Sequence, residues 1–259
     1  MKKKYFALLI IFFVCSTGYS QKQDTLLINP SNVNTKALMP GIHRYLIYFK
    51  MGKDSGRTNY QLWSRNIDYI SIKGVNAISV TQEWEDNDTV FHKAHSILNK
   101  KDFSTIYHKS WWKATGAWVT YDFEKKEILL SGNSLREKKD SISVKRVAAF
   151  DASTLQYCLN WHLDLEVFSL LPYKEGITFK INFYDPGSEA PRYTYYTVSG
   201  SDSLAIYNNQ KIDCWLLTHG SLPENFETFW ISKKTKEVLK LEQEYSGKFR
   251  YKIKLGYSD

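Results

Sequence analysis

The sequence predicts a mainly β protein: one antiparallel sheet winding up and down, with a single principal helix across its concave face. Three observations predict it. Short segments of alternating apolar and polar residues recur along most of the chain, separated by polar turns. Aromatic residues make up 15 % of the chain, with eight Trp and eighteen Tyr, which suits wide strands around a large core. One stretch, Ser153 to Leu171, departs from the alternation and repeats its apolar residues at three- and four-residue steps.

The alternation begins after Pro40-Gly41. Ile42 to Lys50 sets His43, Tyr45, Ile47 and Phe49 against Ile42, Arg44, Leu46 and Tyr48. A glycine-bearing connection, Met51 to Arg57, leads to a return strand at Thr58 to Tyr69. Further strands are expected at Ala77 to Glu85, Thr89 to Asn99, Ile106 to Lys113, Trp118 to Phe123, Ile128 to Ser131 and Ser141 to Val147. Then comes the helix near 153–171, with Leu155, Cys158, Trp161, Leu165 and Phe168 on one stripe, a cap at Asp151 or Ser153 and a stop at Pro172. Strands resume at Gly176 to Phe183, Arg192 to Ser199, Leu204 to Tyr207 and Ile212 to Thr218. The chain closes in a meander, where Phe229 and Ile231 alternate with Trp230 and Ser232, Val238 to Glu242 returns, and Tyr251, Ile253 and Leu255 follow a Ser246-Gly247 turn. No internal repeat of fixed period is present. Residues 38–259 therefore read as a single β-rich domain.

The first twenty residues form a secretory signal. Lys2, Lys3 and Lys4 precede an apolar run from Phe6 to Val14, and Gly18 and Ser20 supply small residues for cleavage after Ser20. That run is shorter than the roughly 20 residues a bilayer requires, and no other segment is long and apolar enough, so the mature chain has no transmembrane segment. Cys15 follows the bulky Val14, which argues against lipidation. Residues 21–37, rich in Asn, Ser and Thr, read as a flexible lead-in. An exported protein, periplasmic or extracellular, is the expectation.

Loss of the signal removes three lysines and lowers the formal net charge from +8 to +5. The excess is spread along the strands and forms no basic stripe, which excludes a nucleic-acid partner. Cys158 and Cys214 remain after processing. They read as buried free thiols, with a disulfide open as the alternative because export permits one and sequence gives no distance.

This order resembles a known family. The signal, Lys101-Asp102-Phe103-Ser104-Thr105-Ile106-Tyr107-His108, the helix ending in Leu170-Leu171-Pro172-Tyr173, the strand at Asn182-Phe183-Tyr184-Asp185 and the closing Phe229-Trp230-Ile231 with Val238-Leu239-Lys240-Leu241-Glu242 carry the resemblance. Together they look like a periplasmic domain-of-unknown-function family similar in fold to the lipoprotein carriers of the LolA and LolB type. The Gln21 start and aromatic strands look like exported proteins of the Bacteroidetes type. The resemblance implies a half-open antiparallel β-barrel of roughly eleven strands, its hollow covered by helix. In the carriers that hollow takes acyl chains. The family implies no catalytic residues.

Chemical motifs are sparse. His92 and His95 stand three apart on an expected strand, which puts them on opposite faces and argues against a shared metal. Glu85-Asp86-Asn87-Asp88 lacks the glycine and the distal glutamate of a calcium loop and reads as a hairpin tip. His162 and Asp164 have no glycine-flanked serine elbow to complete a hydrolase set. Trp111 and Trp112 are adjacent, so one should enter the core and the other lie outside or at the rim.

No cofactor, metal or catalytic residue is expected, and the chain reads as a non-enzymatic binding or carrier module holding a lipid or acyl ligand in its concave face. Cys158, Trp161, His162, Leu165 and Phe168 from the helix, with Trp215 and Trp230 from the sheet, are the expected lining. The alternative is a structural or interaction protein of the cell envelope, its hollow packed and its partner another envelope protein.

Overall fold

The computed structural model describes residues 24–256 apart from positions 88, 188, 222 and 223. The expected signal segment, 1–20, lies outside the described residues. Among the described residues sixteen strands form one sheet, not the roughly eleven expected.

The first half is a meander of β2 (Gly41–Lys50), β3 (Thr58–Ile72), β4 (Val75–Asp86), β5 (Thr89–Asn99), β6 (Thr105–Trp112), β7 (Ala117–Asp122), β8 (Glu127–Leu130) and β9 (Asn133–Ser134). The second half runs through β11 (Thr178–Tyr184), β12 (Arg192–Ala205), β13 (Lys211–Ser221), β14 (Glu224–Ser232), β15 (Val238–Tyr245) and β16 (Lys248–Leu255). Two short strands, β1 (Thr25–Leu27) and β10 (Leu159–Asn160), pair in parallel with β11. Antiparallel pairing of β16 with β2 joins the halves, with Tyr251 opposite Tyr48. Lys73-Gly74 and Ser246-Gly247 form two of the hairpin turns, both residues of each at positive φ, which matches the right-handed twist of the flanking strands.

The lead-in is part of the fold, contrary to the expectation of a loose segment. β1 lies against β11, Asn34 N–H donates to Leu170 O (3.0 Å), and Thr35 Oγ1 donates to Lys100 O (2.5 Å). The buried Ile28 explains why: its apolar side chain joins the main core.

The expected single helix is two helices, displaced from where the periodicity put them. α1 spans Ser141–Ser153, where a strand was expected, and α2 spans only Asp164–Ser169. Ile142 and Val144 imitate strand alternation but are 69 % and 52 % exposed, while Ala149 and Phe150 turn inward. Asp140 sets the start, accepting from Ser143 N–H at 2.9 Å. After Thr154 the chain leaves the helix, Leu155 is 83 % exposed, and β10 pairs with β11. The Asn160 side chain then caps a single 3-10 turn at Trp161–Leu163, which runs directly into α2.

These two helical pieces do different work. The 159–171 segment is a plug inside the curved sheet: Leu163, Leu165, Val167, Phe168 and Leu171 join the main core with inward residues of both halves, such as Ile47, Ile78, Phe179 and Leu217. Helix α1 bridges the sheet's free ends. Phe150 meets Tyr121 of β7 at a ring separation of 5.8 Å, and Tyr121 meets Tyr184 of β11 at 6.4 Å. At this seam side chains, with Leu135 and Ile128, do what backbone pairing does elsewhere in the barrel. The result is an open, barrel-like sheet with a plugged interior. No helix among the described residues is long and apolar enough to cross a membrane.

Candidate functional site

Strand parity decides which side chains face inward. His92, Ala94, Ser96 and Leu98 of β5 are buried, whereas His95 faces out and hydrogen-bonds Ser79 at 3.0 Å. The two histidines do lie on opposite faces, as their spacing predicts. Trp112 likewise faces the inner side, its ring 3.9 Å from that of His92, while Trp111 stands on the outer side near Trp118.

A polar network ties the plug to the wall. Arg65 of β3 is 1 % exposed and contacts Glu166 (Nε to Oε1, 2.9 Å) and Asp164 (Nη1 to Oδ1, 3.4 Å). It also donates to His162 O, which accepts a second bond from Gln82 at 2.9 Å. Lys252 of β16 reaches Asp164 Oδ2 at 3.4 Å and lies 4.7 Å over the Trp63 ring. Burial pushes Asp164 up, but Lys252 and Arg65 outweigh it and hold the carboxyl below its usual range. Burial raises Glu166 against the opposing pull of Arg65, and it lowers Lys252 to about 8 against the pull of Asp164. A second buried knot joins Glu237 to Lys254 (2.6 Å) and His43 (3.2 Å), and these contacts overcome burial to bring Glu237 down to about 2. The cavity beside it holds about 20 Å³, room for one water.

Three imidazoles gather where the plug meets β5 and β6. The His162 ring lies 4.8 Å from that of His108 and 5.5 Å from that of His92. His92 Nδ1 donates to Trp111 O at 3.0 Å, which leaves its Nε2 as an acceptor. His108 Nδ1 lies 3.1 Å from the Asn160 amide nitrogen and 2.8 Å from Ser96 Oγ, so it accepts and Nε2 carries the proton. Burial first, then His162, lowers His92 to about 3 and His108 well below the usual imidazole range, keeping both neutral. His92 Nε2, His108 Nε2 and His162 Nδ1 are all buried without a hydrogen-bond partner. Among the described residues no three His, Cys, Asp or Glu side chains converge as a metal requires. The Ser96–His108 pair is fully buried, and among the described residues no hydrogen-bond partner stands behind the ring at His108 Nε2.

Beside His162 the concave face stays open. A cleft of about 300 Å³ lies between the inner faces of β6 to β8, helix α1 and the turn after β11. Its lining includes Ser110 and Trp112 of β6, Tyr121 of β7, Arg146 of α1, His162 of the plug and Asp185 of the turn after β11. His162 Nε2 lies 3.5 Å from Asp185 Oδ1. Gly187, at φ +97°, sits where a Cβ would come within 2.9 Å of Tyr121 Oη, so its missing side chain leaves the cleft its depth.

The expected lining residues divide among four places. Leu165 and Phe168 are fully packed in the main core, with Trp161 against them, edge-on to Phe183 at 4.7 Å. Cys158 belongs to the seam, its thiol donating to Ser153 O at 3.3 Å. Trp215 leans on the edge of the main core beside Tyr173. Trp230 does not line the hollow: it faces the outer side with Cys214 and Leu239 and donates to Asp202 Oδ2 at 2.9 Å. Its neighbours Phe229 and Ile231 take the inward positions, so parity excludes it. Only His162 reaches the cleft. Both cysteines are free and in different clusters.

A family described as a protein of unknown function, DUF3108, matches residues 44–254. The chain belongs to this family. The match spans the meander from the fourth residue of β2, the seam helix, the plug and all but the last residue of β16, so plug and cleft lie inside the DUF3108 unit. No curated protein sequence matches. Among solved structures, a β-barrel-like protein of the domain of unknown function DUF1849 from Brucella abortus is similar at a TM-score of 0.38 and 8 % identity, over 85 % of this chain and 100 % of that one.

Proposed function

We propose that this protein is a non-enzymatic binding module of the cell envelope whose ligand seat is the concave cleft beside His162. The observation that carries the reading is the division of the concave face. Its centre is occupied by the chain's own plug, and its flank at β6 to β8 holds about 300 Å³ of space, at the small end for ligand sites. Unpartnered buried polar atoms at that flank, Arg146 Nε and His162 Nδ1, support it further.

An acyl ligand in the centre, the carrier role drawn from the resemblance to the LolA and LolB type, would require Phe168 and Leu165 to leave the core. Their ties to Arg65 and Lys252 through Asp164 and Glu166 oppose that. The plugged interior favours a second reading, a structural or interaction protein of the envelope with no small ligand.

The test is two measurements on the mature chain purified without detergent. Native mass spectrometry, with titration by a fluorescent fatty acid, should find no bound lipid and no uptake. A fragment screen followed by amide and indole chemical shifts should move Trp112, Tyr121 and Arg146. Co-purified lipid that perturbs Phe168 would restore the carrier reading, and a cleft silent to every fragment would leave the interaction reading.

A further inference from the structure

We propose that the cleft takes a small organic carboxylate with a flat body, Arg146 receiving the carboxylate and Trp112 the body; this rests on the cleft being a ligand seat. Arg65, Arg136 and Arg192 each meet a carboxylate, and of the arginines that do not, Arg146 is the one that lines the cleft. Arg146 meets none among the described residues, and its Nε is buried without a hydrogen-bond partner at the cleft wall. The carboxylate present in the cleft, Asp185, faces His162 at 3.5 Å. A guanidinium held at a cavity wall without its counter-charge is complementary to a carboxylate, which it binds through paired N–H donors.

The space beside it is kept free by sequence. Gly187 has no Cβ, and one built there would stand 2.9 Å from Tyr121 Oη and 4.0 Å from Arg146 Nε. The carboxylate therefore has room next to both groups. In the same lining Trp112 is backed by His92 at 3.9 Å and by Trp84 at 5.5 Å, edge to face, yet keeps 39 % of its surface exposed. Such a braced aromatic plate holds a planar ring or the flat CH face of a sugar. Ser110 and Thr115 add hydroxyls on the same side. Because His92 stays neutral behind the plate and Asp185 faces His162, Arg146 is the cation left to receive the ligand.

Two ligand sources share this chemistry, aryl carboxylates and sugar acids. The experiment titrates the mature full chain with benzoate against benzyl alcohol and with glucuronate against glucose, following indole and amide shifts. The expected result is saturable movement of Trp112 by at least one acid, with its neutral analogue weaker by about 10- to 100-fold. Arg146→Gln should lose the same margin, Arg146→Lys should fall between, and Arg192→Gln, at the exposed start of β12, should bind as the parent does. Circular dichroism and the urea midpoint confirm that each variant is folded. Benzoate alone binding assigns the aryl source, and glucuronate alone the sugar acid. Equal binding of acid and neutral analogue, or undiminished binding by Arg146→Gln, overturns the anion assignment while the cleft stands as a ligand seat. Silence of the cleft to all four compounds overturns this assignment, and silence to the wider fragment set overturns the seat itself.

Discussion

Arg65 Nε lies 2.9 Å from Glu166 Oε1, an ion pair in which the N–H does not point along the contact, so charge and not hydrogen-bond geometry holds the two together. The same guanidinium serves Asp164 and the His162 carbonyl, which makes it the main anchor between wall and plug. Arg65→Met would remove one of the two ion pairs of Asp164 and, among the described residues, the ion pair of Glu166. Breaking a buried pair from one side costs about 3–5 kcal/mol. Urea unfolding should show a loss of that size with an unchanged m-value, and a loss below about 1 kcal/mol would show the plug to be held by packing alone.

Phe168 tests the packing itself. It is fully buried, with the rings of Tyr196 and Phe229 each 4.8 Å away. Phe168→Ala should cost about 3–5 kcal/mol, and Leu155→Ala, at a site 83 % exposed, less than about 0.5 kcal/mol. Thermal and urea denaturation of the two variants check the contrast. The sequence placed both residues on one helical stripe, so equal costs would count against the break at β10.

The histidines give the fold an acid limit. His92 and His108 stay neutral when folded, His92 down to about 3, while unfolded imidazoles take protons near 6.5. Their contribution is fully present above pH 6.5 and is lost as the pH falls towards 3. Glu237, held at about 2 against an ordinary 4.5, adds its own loss only below pH 4.5. Between these limits the decline belongs to the buried histidines, with about 2 kcal/mol of it from His92 at pH 5. Urea midpoints at pH 7.5 and 5 measure it, and His92→Gln should remove that share. A midpoint indifferent to pH over this range would contradict the burial of the cluster.

The thiols should be inert in the folded chain. Burial pushes Cys158 up to about 12 and Cys214 to about 11, so neither is a thiolate at neutral pH. Iodoacetamide should leave Cys158 and Cys214 unmodified in the native protein and alkylate both in denaturant, by peptide mass. One or no adduct in denaturant without reductant would instead reveal a bonded cysteine.

The strand grammar was readable because each inward position repeats at every second residue, and facing followed for His92 and His95 and for Trp111 and Trp112. Helices were harder. Ile142 and Val144 carried a strand's alternation onto α1, and a single Asp140 cap decided against it. Leu155, Cys158 and Leu165 kept a helical rhythm across a segment that Asn160 and the β11 edge break into turn, bridge and helix. Arg146 was hidden by the same misreading, since a residue on a supposed strand gave no reason to look towards the seam. Trp112 was legible only as one of an adjacent pair that must face opposite sides; which of the two turns inward was not. Tyr121 and Asp185 meet it only through a closure that brings β7 to the end of β11, and no local pattern encodes that approach.

The pairing of Tyr251 with Tyr48 has a kinetic consequence. Strands some two hundred residues apart must meet before the halves share one sheet, and the parallel pairing of β1 with β11 adds a second distant closure. High contact order of this kind slows folding to the millisecond-to-second range, because loop-closure entropy is spent before the pairing returns it. Until β16 arrives, β2 presents an unpaired edge with Tyr45, Ile47 and Phe49 beside it. For a chain synthesised from its N-terminus, that edge is the segment a holding chaperone would have to cover.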